Sequence, residues 1–134
     1  GAPPERTYGW RDIHDVLEMS VTTGGDVIAA VGGAANPHLT WLRNSSGEAH
    51  PLNEIAGAVR YPAISPDSKL LAFTRRESGS WHLFVRQLAT GSEQQLTRSA
   101  CNAMSPAWQD AHTLLYATDC SHGLSAVAWI ELRP

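Results

Sequence analysis

The sequence predicts an all-β fold made of three consecutive four-stranded antiparallel sheets. Two observations lead to this prediction. No stretch of about twelve residues carries a helical apolar stripe, whereas short segments rich in β-branched and aromatic residues alternate with turn residues. The same pattern then recurs with a period of about 44 residues. The chain has 134 residues, 43% hydrophobic and 17% charged, which fits one globular domain.

Eleven segments are predicted as strands, each ending near glycine, proline, asparagine or aspartate. They are Glu18–Thr22, Asp26–Val31, His38–Arg43, Glu48–Leu52, Arg60–Ser65, Lys69–Thr74, Trp81–Leu88, Glu93–Thr97, Ala103–Gln109, Thr113–Thr118 and Ser125–Leu132. Their starts are about 8 to 12 residues apart, which is typical of an all-β domain.

Internal repetition groups these strands into units. A shift of 44 residues places Pro62–Phe73 on Pro106–Ala117 without a gap, and so pairs Leu70 with Leu114. A shift of 43 residues in the other direction places Val27–Ala30 on the strand that begins at Leu70. The domain 1–134 is therefore predicted to contain three units, approximately 15–57, 58–98 and 99–134.

Four short strands in each unit of about 40–45 residues are typical of the blades of a β-propeller. A single sheet of this kind has two apolar faces, and only stacking against neighbouring sheets buries both. The strand aromatics are accordingly predicted in the core and between blades. They are Phe73, Phe84, Trp108, Tyr116 and Trp129.

The middle unit carries a specific resemblance. Its segments Tyr61–Phe73, Trp81–Leu88 and Gln95–Thr97 resemble the repeat of the TolB-like (WD40-like, PD40-repeat) β-propellers. In Ser65-Pro66-Asp67, proline presets φ for a turn and aspartate accepts hydrogen bonds from its own backbone, so a structural role is favoured over a catalytic one. The third unit keeps Pro106-Ala107-Trp108 but lacks Ser-Pro-Asp.

Three blades do not close a ring, because closed propellers have about four to eight. Two apolar end faces would remain exposed. Three arrangements would cover them: further blades of a longer propeller, a homodimer closing a six-bladed ring about a two-fold axis, or irregular capping segments. The third unit ends before a fourth strand, which Arg6–Asp12 could supply.

Cys101 and Cys120 are the two cysteines of the chain. The turn at Gln109–His112 joins two antiparallel strands and places these residues opposite each other, within one residue of register. The spacing favours a disulfide over two free buried thiols. A disulfide implies an oxidising compartment, which the TolB-like resemblance makes the bacterial periplasm or the exterior, including the ectodomain of a membrane-anchored protein.

Charge and motifs exclude several functions. The net charge is −3, without a basic face for nucleic acid. Arg75-Arg76 is predicted as a solvated loop edge. No apolar run reaches the roughly 18 residues of a membrane span, so no membrane contact is expected. No hydrolase, metalloprotease or phosphate-loop motif occurs, so neither catalysis nor a cofactor is predicted. Asp119 and His122 follow a strand that His112 precedes, which argues against a shared metal site.

The prediction that follows is a non-catalytic module of a bacterial extracytoplasmic protein, serving protein binding or assembly. One alternative is the substrate-binding or gating propeller of a larger hydrolase resembling prolyl oligopeptidase. Another is a propeller that binds a glycan or small ligand on Trp10 and Trp41. Asp119 and His122 are weaker candidates for a contact at the rim of the blades.

Overall fold

The computed structural model describes residues 1–5, 10, 13–121 and 124–133, and only the backbone of Ser121 and Leu124. Eleven strands make up the regular structure of these residues, one for each predicted segment. They are β1 (Glu18–Val21), β2 (Val27–Val31), β3 (His38–Leu42), β4 (Ala49–Pro51), β5 (Val59–Ile64), β6 (Leu70–Glu77), β7 (Ser80–Gln87), β8 (Glu93–Gln95), β9 (Ala103–Trp108), β10 (Thr113–Ser121) and β11 (Leu124–Glu131).

The strands form three antiparallel sheets that we call blades 1, 2 and 3. Blade 1 has the order β1-β2-β3-β4 and blade 2 the order β5-β6-β7-β8. Blade 3 has the order β9-β10-β11 in the described part of the chain. The first strands of successive blades are in contact, since β1 contacts β5 and β5 contacts β9. This arrangement is that of three stacked β-propeller blades, and it confirms the predicted fold class.

Two apolar cores hold the blades together. The core between blades 1 and 2 consists of the buried residues Ile28, Ala30, Leu39, Ile55, Val59, Leu71, Phe73 and Phe84. The core between blades 2 and 3 consists of Ala63, Ala72, Leu83, Val85, Ala103 and Leu114. Polar bonds supplement both, since Glu18 binds Arg60 across the first interface and the Trp108 indole donates to the Ala63 carbonyl, at 2.8 Å, across the second.

The turn between the first two strands differs in length among the blades. Its closing bonds run from Thr22 N to Asp26 O, from Ser65 N to Leu70 O and from Gln109 N to Thr113 O. The turn of blade 2 is therefore one residue longer than the other two. The ungapped sequence shifts paired both Val27 and Leu114 with Leu70. In the structure both residues correspond to Leu71, so the predicted alignment of the second strands was wrong by one residue.

Strand β6 runs to Glu77, three residues beyond its predicted end, and Arg75 within it is not a solvated residue. Its side chain is buried, with Nε donating to the Ala56 carbonyl at 2.7 Å. The guanidinium carbon lies 4.5 Å from the centre of the Phe84 ring. Hydrogen bonds and aromatic contacts thus offset the cost of removing this charge from water, and the loop-edge prediction for Arg75 was wrong.

Candidate functional site

Each blade has a face that we call its forward face, meaning the face turned toward the next blade along the chain. Two cross-strand pairs form its centre in every blade. The pairs are Ala30–Leu39 and Ile28–Trp41 in blade 1, Thr74–Leu83 and Ala72–Val85 in blade 2, and Ala117–Val127 and Leu115–Trp129 in blade 3.

Burial of these equivalent positions differs sharply along the chain. Leu39 in blade 1 is 1% exposed and Leu83 in blade 2 is 0% exposed, because the next blade covers each of them. Val127 at the same position of blade 3 is 76% exposed, and Trp129 is 67% exposed. The forward face of blade 3 is therefore an apolar surface that no described residue covers.

Trp129 was predicted in the core or between blades, and that prediction was wrong for the described chain. Its equivalent in blade 2, Val85, is buried beneath blade 3. Trp129 follows the same strand pattern, but nothing among the described residues lies on its side of the sheet. The other four aromatics are buried or half-buried in or against the two inter-blade cores.

The opposite end of the stack, the rear face of blade 1, is partly covered. Trp10 and Ile13 pack against an apolar cluster of this sheet. Met19 and Val21 on the neighbouring strand β1 stay 61% and 60% exposed.

Trp10 belongs to the segment Arg6–Asp12, which the sequence suggested as a fourth strand for the third unit. Its indole nitrogen donates to the Arg43 carbonyl of blade 1 at 3.1 Å. At Trp10 the segment thus lies on blade 1 and not beside β11, while its other residues lie outside the described part of the chain.

Ser65, Pro66 and Asp67 form a hydrogen-bonded turn. The Ser65 hydroxyl donates to Asp67 Oδ1 at 2.6 Å, and the Lys69 amide donates to the same oxygen at 3.1 Å. These two bonds, the hydroxyl first, hold the pKa of Asp67 below its usual range. One carboxylate oxygen, Oδ1, thus helps to close the turn, which is a structural use of the residue.

Trp41, predicted as a ligand platform, has partners within the protein. Its indole nitrogen donates to Asp26 Oδ2 at 3.0 Å, and the Arg43 guanidinium lies 4.8 Å from the centre of its ring. Hydrogen bonds from the Asn44 amide and then the Trp41 indole lower the pKa of Asp26. The side chain also packs against the core between blades 1 and 2.

Cys101 and Cys120 are joined by a disulfide whose Cα atoms lie 5.2 Å apart. The register opposes Ala103 to Thr118, and continuing it brings Cys101 opposite Cys120. The bond therefore ties the segment that connects blades 2 and 3 to strand β10.

Asp119, a predicted rim residue, is held next to this disulfide. It accepts hydrogen bonds from the Asn102 side-chain amide at 2.8 Å and the Asn102 backbone at 2.7 Å. These bonds lower the pKa of Asp119. The other predicted rim residue, His122, lies outside the described residues, so the pair stays a prediction.

An ionic cluster on blade 2 was missed by the sequence reasoning. Glu93 accepts hydrogen bonds from Arg75 at 3.0 Å and from Arg86 at 2.7 Å. Burial acts to raise the pKa of Glu93, but the bonds from the two arginines outweigh it and lower the pKa. The three residues come from β6, β7 and β8, so the cluster clamps these strands together.

Two other kinds of site are absent from the described residues. No three histidine, cysteine, aspartate or glutamate residues among them are placed to hold a metal ion. No helix in the described ranges is long and apolar enough to cross a membrane.

The chain is similar in sequence and in fold to TolB proteins. No protein-family model matches the chain. It is 28% identical over 111 residues to a TolB homologue of Chlorobium chlorochromatii, covering 72% of this chain and 25% of that protein. Its fold superposes on the crystal structure of TolB from Acinetobacter baumannii with a TM-score of 0.72 and 17% identity, covering 90% of this chain and 30% of that one. The blades are β-propeller blades, similar to those of TolB.

The fold of these blades is also similar to that of a peptidase propeller. The β-propeller domain of the trilobed protease from Pyrococcus furiosus superposes with a TM-score of 0.69 and 17% identity, covering 90% of this chain and 40% of that one. The chain thus spans about a quarter of the TolB homologue and less than half of either structure.

Proposed function

We propose that these TolB-like blades are a non-catalytic assembly module of a bacterial extracytoplasmic protein, and that a protein partner binds the forward face of blade 3. One observation carries the proposal: Val127 is exposed at a position that a neighbouring sheet buries in blades 1 and 2, and Trp129 is exposed at a position that is buried in blade 2. Exposed apolar surface of this kind marks protein contacts, and a central tryptophan is a typical anchor of such an interface.

Two further observations support the proposal. The Cys101–Cys120 disulfide favours an oxidising compartment, such as the periplasm or the exterior. Asp67, predicted as a structural turn residue, is hydrogen-bonded within its turn, and Asp119, a predicted rim residue, is hydrogen-bonded to the linker between blades 2 and 3, which agrees with a non-catalytic module. A second candidate is the substrate-gating propeller of a larger hydrolase, which the similarity to the trilobed protease propeller favours.

The test is photo-crosslinking in the bacterium that makes the protein. A photoreactive amino acid replaces Trp129 in the full-length protein, and the matched control carries it at Ser45, an exposed turn residue of blade 1. We expect an adduct with a separate protein, or with a second copy in the case of a ring-closing homodimer, from position 129 alone. An adduct with a hydrolase domain of the same polypeptide would favour the second candidate. An adduct confined to further blades of the same polypeptide, or no protein adduct, would contradict both.

A further inference from the structure

A cleft of about 430 Å³ lies between blades 1 and 2. Its walls come from strand β3, from the connection that follows β4, and from the turn between β7 and β8. The volume falls within the roughly 300–1,000 Å³ of small-molecule sites. We call it the inter-blade cleft, and the residues of its lining that matter here are Trp41, Leu52, Glu54, Arg86, Leu88 and Gly91.

One part of this lining is apolar. Trp41, Leu52 and Leu88 pack against the core between blades 1 and 2, but each of them is only half-buried. The indole nitrogen of Trp41 is bonded to Asp26, and the Arg43 guanidinium lies against its ring, so the ring is fixed in place. An apolar or aromatic group of a ligand that covers these side chains would gain hydrophobic stabilisation.

The ionic cluster that borders the cleft has an excess of positive charge. Arg75 and Arg86 both donate hydrogen bonds to Glu93. The side chains of Arg75, Arg86 and Glu93 are only 10%, 14% and 23% exposed. Two guanidinium groups and one carboxylate leave one positive charge without a counter-ion in a largely buried place. Such a charge is costly, and a bound anion with a single negative charge would offset the cost.

Arg86 is the member of the cluster that lines the cleft, and one edge of its guanidinium is free. Its Nη1 donates to Glu93 Oε2 at 2.7 Å, whereas no described residue accepts a hydrogen bond from its Nη2 or Nε. These two nitrogens form an edge that can bind a carboxylate through two parallel hydrogen bonds. Gly91 leaves room beside this edge, because a Cβ at that position would lie 2.9 Å from Nη2.

We propose that the inter-blade cleft binds a carboxylate attached to an apolar group. The carboxylate pairs with the free edge of Arg86, and the apolar group covers Trp41 and Leu88. A phosphate monoester fits less well, because its second negative charge has no partner in the cluster and meets the exposed Glu54 of the same lining. A free organic acid and the C-terminal residue of a peptide present the same chemistry. The site is separate from the forward face of blade 3.

The experiment titrates the intact protein with N-acetyl-L-phenylalanine and follows the Trp41 indole and Arg86 Nε–H signals by NMR. The control ligand is the corresponding primary amide, which has the same ring and no charge. The acid should bind about tenfold more tightly or better, because its hydrogen bonds to Arg86 are charge-assisted. The peptide acetyl-Ala-Ala-Ala-Phe distinguishes the two sources. Tighter binding than the acid identifies a peptide C-terminus, and equal binding identifies a free acid.

Two glycine variants test the role of Arg86. Gly91→Ala should weaken binding of the acid about tenfold or more, because the new Cβ displaces the Arg86 guanidinium from its place in the cleft. Gly47→Ala is the matched control, since Gly47 holds the equivalent turn position in blade 1. Its φ is 69° against 76° for Gly91, and a Cβ there meets no heavy atom within 4 Å. This variant should bind the acid like the natural sequence.

Glu54→Gln should tighten binding of the acid about twofold, because the substitution removes an opposing charge from the lining. Equal affinities for the acid and its amide would overturn the proposal, and that comparison needs no variant. Unchanged affinity of Gly91→Ala for the acid would also overturn it. So would equal losses in Gly91→Ala and Gly47→Ala, because they would trace the effect to the turns and not to Arg86.

Discussion

Replacing Phe73 by alanine is expected to lower the free energy of unfolding by about 3–5 kcal/mol. Phe73 is fully buried in the core between blades 1 and 2. Its ring stacks on that of Phe84 with centroids 5.8 Å apart, and the Arg75 guanidinium carbon lies 5.2 Å from its centre. The substitution therefore leaves a cavity and also takes one aromatic contact from a buried cation. Since domains are stable by only about 5–15 kcal/mol, the loss is a large fraction of the whole.

Urea unfolding followed by circular dichroism measures this effect. The matched control is Met19→Ala, because Met19 is 61% exposed on the rear face of blade 1. That variant should change the free energy of unfolding by no more than about 0.5 kcal/mol. Similar losses for the two variants would mean that Phe73 does not lie in a packed interface between blades.

Removing the disulfide with Cys101→Ser and Cys120→Ser together is expected to cost about 3 kcal/mol. The cysteines are 19 residues apart in sequence, and the bond restricts this loop in the unfolded chain. In the folded chain it fixes the connection between blades 2 and 3. That connection also carries bonds from Ser80 Oγ to the Ala100 carbonyl and from the Trp81 amide to Asn102 Oδ1.

Urea unfolding with and without a reductant tests the disulfide. Reduction should shift the midpoint of the natural sequence down to that of the double serine variant, and should leave the variant unchanged. Equal midpoints for the oxidised natural protein and the double variant would contradict the prediction. So would a reductant effect that persists in the variant.

The strands could be predicted from local pattern, and their grouping into blades from the internal repeat. Apolar alternation and turn residues depend on neighbours in sequence, so β2 and β3 were placed to within a residue or so of their observed ends. The opposition of Cys101 and Cys120 was likewise accessible, because a hairpin fixes its own register.

What the sequence could not provide depends on contacts between distant segments. Burial of Arg75 needs Glu93 from another strand and the carbonyl of Ala56 from the preceding connection. The alignment did not reveal that the turn of blade 2 is one residue longer. Two consecutive leucines, Leu70-Leu71 and Leu114-Leu115, match equally well at either of two registers. The exposure of Trp129 depends on what stands beside blade 3, which the pattern within β11 does not encode.

The central claim is that the next blade covers the forward faces of blades 1 and 2, whereas the forward face of blade 3 is exposed in the described chain. Hydroxyl-radical footprinting with mass spectrometry measures it directly on the native protein, with the urea-unfolded protein as reference. The account predicts that Val127 and Trp129 oxidise at rates close to those of the unfolded chain, while Leu39 and Leu83 stay protected. Protection of Val127 equal to that of Leu83, or rapid oxidation of Leu83, would contradict it.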